Sequence, residues 1–170
     1  MSHAKNKVDW CLNKAKKEIE EGKKHRGLIQ TNKSKEIALK HIEKAEHNLK
    51  VTIYLHQGNY TDWCSSSIFY TIYHCFLAII SKFGYESRNQ ECTIALIKSL
   101  IEDKKIEIDE NDLNEVASLN VLETQESSTA ISIREEYQYS TKVSLENKEY
   151  EKLLNLAKKI LDKTKEIIEY

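Results

Sequence analysis

The chain has 170 residues, 40% hydrophobic and 31% charged, with a formal net charge of -1 and a mean hydropathy of -0.60. That length supports one domain burying roughly two-thirds of its unfolded surface and leaves too little for a second core. Proline is absent and there are only four glycines, so helices meet few breakers, sheet-forming turns are scarce, and an all-α fold is expected.

From Val8, apolar residues at Cys11, Leu12, Ala15 and Ile19 recur at helical spacing as far as Gly22, which predicts an amphipathic first helix. Residues 22–33 (GKKHRGLIQTNK) are glycine-flanked and basic and read as a loop or flexible joint. A second helix is expected from Ser34, its N-cap, through Ile37, Ala38, Ile42, Ala45, Leu49 and Ile53 to Gly58. Thr61 or Asp62 would cap a third helix that ends at Phe83 before Gly84, and so short a turn makes the two long helices antiparallel.

The third helix holds the most apolar run of the chain, Ile68 to Ile80. That run is shorter than the roughly 20 residues of a membrane span. It also carries Tyr70, Thr71, Tyr73 and His74, so it reads as the centre of a bundle with neighbours on every side. Ser65, Ser66 and Ser67 would let another backbone approach closely or leave room for a ligand. A shorter helix carries Ile94, Leu96, Ile97, Leu100 and Ile101; another begins at Asp109 with Leu113, Val116 and Ala117 inward. Residues 127–139 are expected to be helical, and a last helix from about Leu145 to Ile168 places Tyr150, Leu153, Leu154, Ala157, Ile160, Leu161, Thr164, Ile167 and Ile168 on one broad stripe.

The N-terminal residues show no apolar segment of the 7 to 15 residues a secretory signal needs, so a cytoplasmic protein is expected. Cys11, Cys64, Cys75 and Cys92 lack CxxC spacing and the six histidines form no HxxxH or HExxH pair, which gives no zinc pattern. Four reduced cysteines, mostly packed in a core, are expected of an intracellular chain. Charge is uneven: residues 1–50 hold 13 Lys/Arg against 7 Asp/Glu, and residues 101–170 hold 10 against 17. A basic arm of this kind meets nucleic acid or complements an acidic surface of its own or a neighbouring subunit.

Two polar clusters beside apolar helices are candidates for chemistry. Tyr70, Tyr73 and His74 occupy neighbouring faces of one helix, where the imidazole could meet a phenol or a phosphate across the bundle. In IREEYQYSTK, Arg134 is the only arginine of the last 80 residues, which suggests a planar bidentate role toward a carboxylate or a phosphate.

The stretches HIEKAEHNLKVTIYLHQGNYTDW, SSIFYTIYHCFLAIISKFG, RNQECTIALIKSLI and IREEYQYST, over about residues 34 to 169, resemble the HEPN domains of bacteria and archaea. The resemblance implies an antiparallel four- to five-helix up-and-down bundle, here over residues 34–170, with residues 1–33 as an extra N-terminal helix and basic joint packed on it. It also implies a homodimer and a minimal nucleotidyltransferase as partner, in the manner of a toxin–antitoxin pair. Many HEPN proteins are metal-independent ribonucleases with an arginine, four to six residues, then a histidine. Arg134 matches that arginine, but Tyr139, Ser140 and Thr141 stand where the histidine would be. A phenol with a pKa of about 10 is a poor general base at neutral pH beside an imidazole at about 6.5.

The chain therefore resembles the family members without the nuclease motif, which bind nucleotides or RNA or act as partner modules, with no cofactor, metal or membrane. Arg134, Tyr137, Tyr139, Tyr73, His74 and Arg88 are the candidate ligand residues. The alternatives are a ribonuclease toxin in which Arg134 steadies the phosphate while His74 or Tyr139 moves the proton, and a structural dimer whose only ligand is another protein.

Overall fold

In the computed structural model, residues 2–116 and 130–169 are described. Among them are seven helices: α1 (His3–Glu20), α2 (Lys35–Gln57), α3 (Thr61–Lys82), α4 (Gln90–Glu102), α5 (Glu110–Val116), α6 (Ala130–Tyr139) and α7 (Asn147–Glu169). Ala117 and residues 127–129, read above as helical, lie outside the described residues.

The helix starts follow the capping residues. Ser34 and Asn89 accept hydrogen bonds from the backbone N–H of Ile37 and Cys92, and Asp109 accepts from Asn111 N–H at 2.8 Å, each satisfying a donor that a helix's first turn leaves unpaired. The start of α3 differs from expectation. Tyr60 is its N-cap and makes no side-chain capping bond; the Thr61 hydroxyl instead accepts from Leu145 N–H at 2.9 Å and ties the segment before α7 to the bundle.

α2 and α3 lie side by side, joined through Gly58 and Asn59, the latter at φ 62°. The serines at the start of α3 serve this packing. Ser65 is buried and donates to Asp62 O, Ser67 donates to Cys64 O, and Ser67 Oγ lies 2.7 Å from Thr52 Oγ1 on α2. α3 also packs on α7, α6 and α4, and Ile68, Ile72, Cys75, Phe76 and Ile79 are almost wholly buried.

One side of α3 is nevertheless open. Trp63 and Tyr70 are 61% and 47% exposed, and Tyr73, His74 and Leu77 are half-buried, so an expectation of neighbours all round is corrected. By length and composition α3 alone among the described helices is apolar enough to cross a membrane, and 67% of that apolar window is buried inside the bundle.

Two further corrections concern the N-terminal part. The expected loop contains strand β1 (Leu28–Gln30), which pairs antiparallel with β2 (Tyr85–Ser87) in the register Leu28↔Ser87, Ile29↔Glu86, Gln30↔Tyr85. Three-residue strands have no periodicity of their own to read and depend on the partner that accepts their hydrogen bonds. Gly27 precedes β1 where a Cβ would come 2.6 Å from Cys11 O, so the chain can pass close to α1 only as glycine.

The second correction is covalent: Cys11 and Cys92 are joined in a disulfide, Cα atoms 5.9 Å apart, and only Cys64 and Cys75 are free thiols. Four reduced cysteines were expected from compartment alone; spacing in sequence gave no sign that α1 and α4 meet. Along the same interface Lys5 pairs with Asp103 at 2.5 Å, Lys7 with Glu91 at 2.9 Å, and Ser2 hydrogen-bonds Glu102.

Candidate functional site

Arg134 sits on α6 one residue after buried Ile133, which turns it toward α3. Its side chain is 12% exposed, and its guanidinium carbon lies 4.4 Å from the centre of the Phe69 ring. This is a cation–π contact in a partly desolvated place, where such contacts are strongest. Nη2 donates to Glu135 Oε1 at 3.2 Å and Nη1 to Gln90 Oε1 at the long distance of 3.5 Å, while Nε is buried with no hydrogen-bond partner. The guanidinium is thus held by a ring, one carboxylate and one long amide contact, with donor capacity to spare.

The cluster continues along α3. Phe69 stacks on Tyr73 (centroids 5.8 Å apart, 11° between planes) and meets the edge of Tyr70 at 5.4 Å. The Tyr73 hydroxyl is 3.5 Å from Thr93 Oγ1 on α4, and burial raises its pKa. Tyr73 in turn meets His74 edge-on at 6.5 Å. Arg134, Tyr73 and His74 therefore lie along one ridge, Arg134 and His74 separated by the Phe69 and Tyr73 rings.

His74 points to α2, not to Arg134: its Nδ1 lies 3.0 Å from His41 Nδ1. One Nδ1–H can donate and the other nitrogen accept only while at least one ring is neutral. Burial lowers the pKa of both, and for His74 the competition of His41 for the same proton and the charge of Lys44 add to it, taking it down to about 4. At neutral pH both rings are uncharged.

The other candidates lie elsewhere. Tyr137 donates to Glu149 Oε2 at 3.5 Å, with Lys142 over its ring at 5.8 Å, in a cleft of about 530 Å³ between α6 and α7. Burial and then Glu149 raise its pKa. Tyr139 is 79% exposed at the end of α6. Arg88 follows β2, its Nε donating to Glu86 at 3.1 Å, and lines a cleft of about 710 Å³ with His41.

Phe69, Gln90 and His41 escaped the sequence reading. His41 and His74 stand almost equally far from Gly58, so an antiparallel pair of helices brings them together; that symmetry was the available signal. Phe69 and Gln90 carry no such mark, since an apolar residue on a core helix and a glutamine in a first helical turn look ordinary. Among the described residues no group of three or more His, Cys, Asp or Glu could hold a metal ion.

A search of curated proteins finds no match to this chain. The model of the HEPN domain matches residues 38–167, which span the α2–α3 pair, the ridge with Arg134 and nearly all of α7. The chain belongs to the HEPN domain family.

Proposed function

We propose that this protein is a non-catalytic HEPN module that binds a nucleotide or RNA phosphate at the Arg134–Phe69–Tyr73 ridge and works as a homodimer beside a minimal nucleotidyltransferase partner. The observation that carries the reading is the guanidinium of Arg134, stacked on Phe69 with a partnerless Nε and a long bond to Gln90. A phosphate oxygen is a better acceptor than the Gln90 amide at 3.5 Å and can also take the partnerless Nε, and the planar fork suits it. Exposed Tyr70, edge-on to Phe69, offers a face on which a base can stack.

The lack of catalysis follows from where the imidazole is. His74 has its Nδ1 engaged by His41 and a pKa of about 4, far from the near-neutral value that suits a general base. Tyr139, the other residue considered for proton transfer, is exposed at the far end of α6. On the ribonuclease reading, neither His74 nor Tyr139 is suited to take the 2′-hydroxyl proton, and purified protein is expected to leave RNA intact.

The protein–protein half of the reading rests on exposed large side chains flanking the α2–α3 turn: Ile53, Tyr54, Tyr60 and Trp63, from 39% to 73% exposed. Aromatic side chains with polar tips are the ones enriched in interface cores. The experiment for the ligand half is titration with ATP, GTP or a short RNA, followed through Trp10 and Trp63, against Arg134→Ala.

A further inference from the structure

A second cleft, of about 710 Å³, opens where the start of α2, the second half of α3 and β2 meet; Lys33, Ser34, His41, Tyr85, Ser87 and Arg88 are among its lining residues. That volume lies in the range of small-ligand sites, roughly 300–1,000 Å³. Its walls are bolted together by backbone hydrogen bonds: Thr31 N–H to Gly84 O at 2.8 Å, Ser34 N–H to Ser81 O at 3.1 Å, and Arg88 N–H to Gly27 O at 3.1 Å. Gly84, at φ +82°, makes the approach possible, since a Cβ there would lie 2.8 Å from Thr31 O. Residues 31–37 precede the family match, so this wall is contributed by the chain's own N-terminal part.

The charge around the cleft is not balanced. Glu86 is the one carboxylate among its lining residues; it pairs with Arg88 and lies 3.4 Å from Nε2 of buried His25. Lys33, on the rim, and Lys44, one turn along α2 from His41, have no carboxylate partner within ion-pair distance among the described residues. Ser81 and Ser87 spend their hydroxyl protons on Leu77 O and Asn89 O, and Ile37 N–H is capped by Ser34, so the two cationic side chains are the main donors on this side. A cationic, preformed hollow fits an anion.

At its inner edge stands the His41–His74 pair, with one proton to share across 3.0 Å. The charged and titratable groups around the pair are Lys33 and Lys44 from the α2 side, Tyr73 from α3, and Tyr85, Glu86 and Arg88 from β2 and its end. Burial lowers the pKa of both rings, and Lys44 adds to it for His74, so the pair is neutral at pH 7. An anion seated against His41 favours a proton on the pair.

We propose that this cleft is a binding site for a small dianionic oxyanion group of the phosphate or sulfate kind, held by Lys33 and Arg88, and that binding draws a proton onto the His41–His74 pair. The inference shares only His74 with the ridge and does not depend on Arg134, so it fails or survives independently of the reading above.

The test is calorimetric titration of the full chain with adenosine 5′-monophosphate and, separately, with inorganic sulfate, in two buffers of different ionisation enthalpy. Sulfate keeps its charge throughout, so its pH dependence reports the protein alone. Expected results are proton uptake on binding, sulfate affinity about tenfold higher at about pH 5.5 than at about pH 7.5, and a loss of about tenfold or more in Lys33→Ala and in Arg88→Ala. Tighter binding of the nucleotide than of sulfate assigns the ester; equal binding assigns the bare oxyanion group as the recognised part. His41→Gln should still bind but take up less proton, and Arg134→Ala should bind as wild type. No binding of either probe at about 10 mM, wild-type affinity in both Lys33→Ala and Arg88→Ala, or undiminished uptake in His41→Gln overturns the proposal.

Discussion

His74 illustrates how a half-buried group can link stability to pH. Its folded pKa of about 4 lies below the ordinary value of 6.5, because burial, the competition of His41 and the charge of Lys44 disfavour its charged form. The unfolded chain therefore binds this proton more readily than the folded one. The stabilising contribution is complete above about pH 6.5, falls away as the pH drops toward 4, and returns nothing further below it. His74→Gln keeps a side-chain donor and acceptor toward His41 but cannot titrate. Urea midpoints at pH 7.5 and 4.5 are expected to lie closer together in this variant than in wild type, and an equal spread in the two proteins would count against the assignment.

Arg134 makes a second prediction at this scale. Removing it takes away the cation–π contact and uncovers the Phe69 face, so Arg134→Ala should lower unfolding free energy by about 1–2 kcal/mol, read by chemical denaturation, while far-ultraviolet circular dichroism stays helical. A loss well above that would mean the arginine holds α6 in place and not merely the ridge.

Among the elements, α1 is the least conventional attachment. Its ion pairs toward α4 are largely solvent-accessible and contribute little, so buried Ala4, Val8 and Ala15, the Cys11–Cys92 bond and the β1–β2 ladder carry the connection. The bond spans 81 residues of sequence, and cross-linking a loop of that order stabilises by about 2–4 kcal/mol. Reduction, or Cys11→Ala with Cys92→Ala, should lower Tm by about 5–15 °C. Thiol titration of unfolded, unreduced protein should find two free groups, Cys64 and Cys75, whose thiols burial pushes up to about 11 and about 12 in the fold. Four titrating thiols would remove the cross-link from the account.

How much of this was legible depends on range. Ser34 and Asp109 announced the helices they begin, and the stripe from Tyr150 to Ile168 announced α7, because caps and periodicity are local. β1, β2 and the disulfide were not legible, since each exists only through a partner more than fifty residues away. The candidate site divides in the same way. Arg134 stood out by residue type alone, but its resting place on Phe69 and the partnership of His74 with His41 are tertiary facts. Thr61 was read as a cap because its type allows it; a long-range donor, Leu145 N–H, claimed its hydroxyl instead.

For the whole molecule, membership of the HEPN family and the exposed row around the α2–α3 turn support association with a second copy. Light scattering coupled to gel filtration should give a dimer mass, and Tyr54→Glu with Trp63→Glu should return the monomer without loss of helix content, since both side chains are exposed. A wild-type monomer at about 100 μM, where even weak pairs associate, would speak for a single-chain module.

The central claim is that a guanidinium resting on a phenylalanine ring is held ready for a phosphate. Titration of wild type and Arg134→Ala with ATP, GTP and a short RNA, followed by tryptophan fluorescence, measures it most directly. The account predicts saturable binding by wild type that weakens about tenfold or more in the variant, with the RNA recovered uncut. Absence of binding at millimolar ligand, or equal affinity in the two proteins, would contradict it.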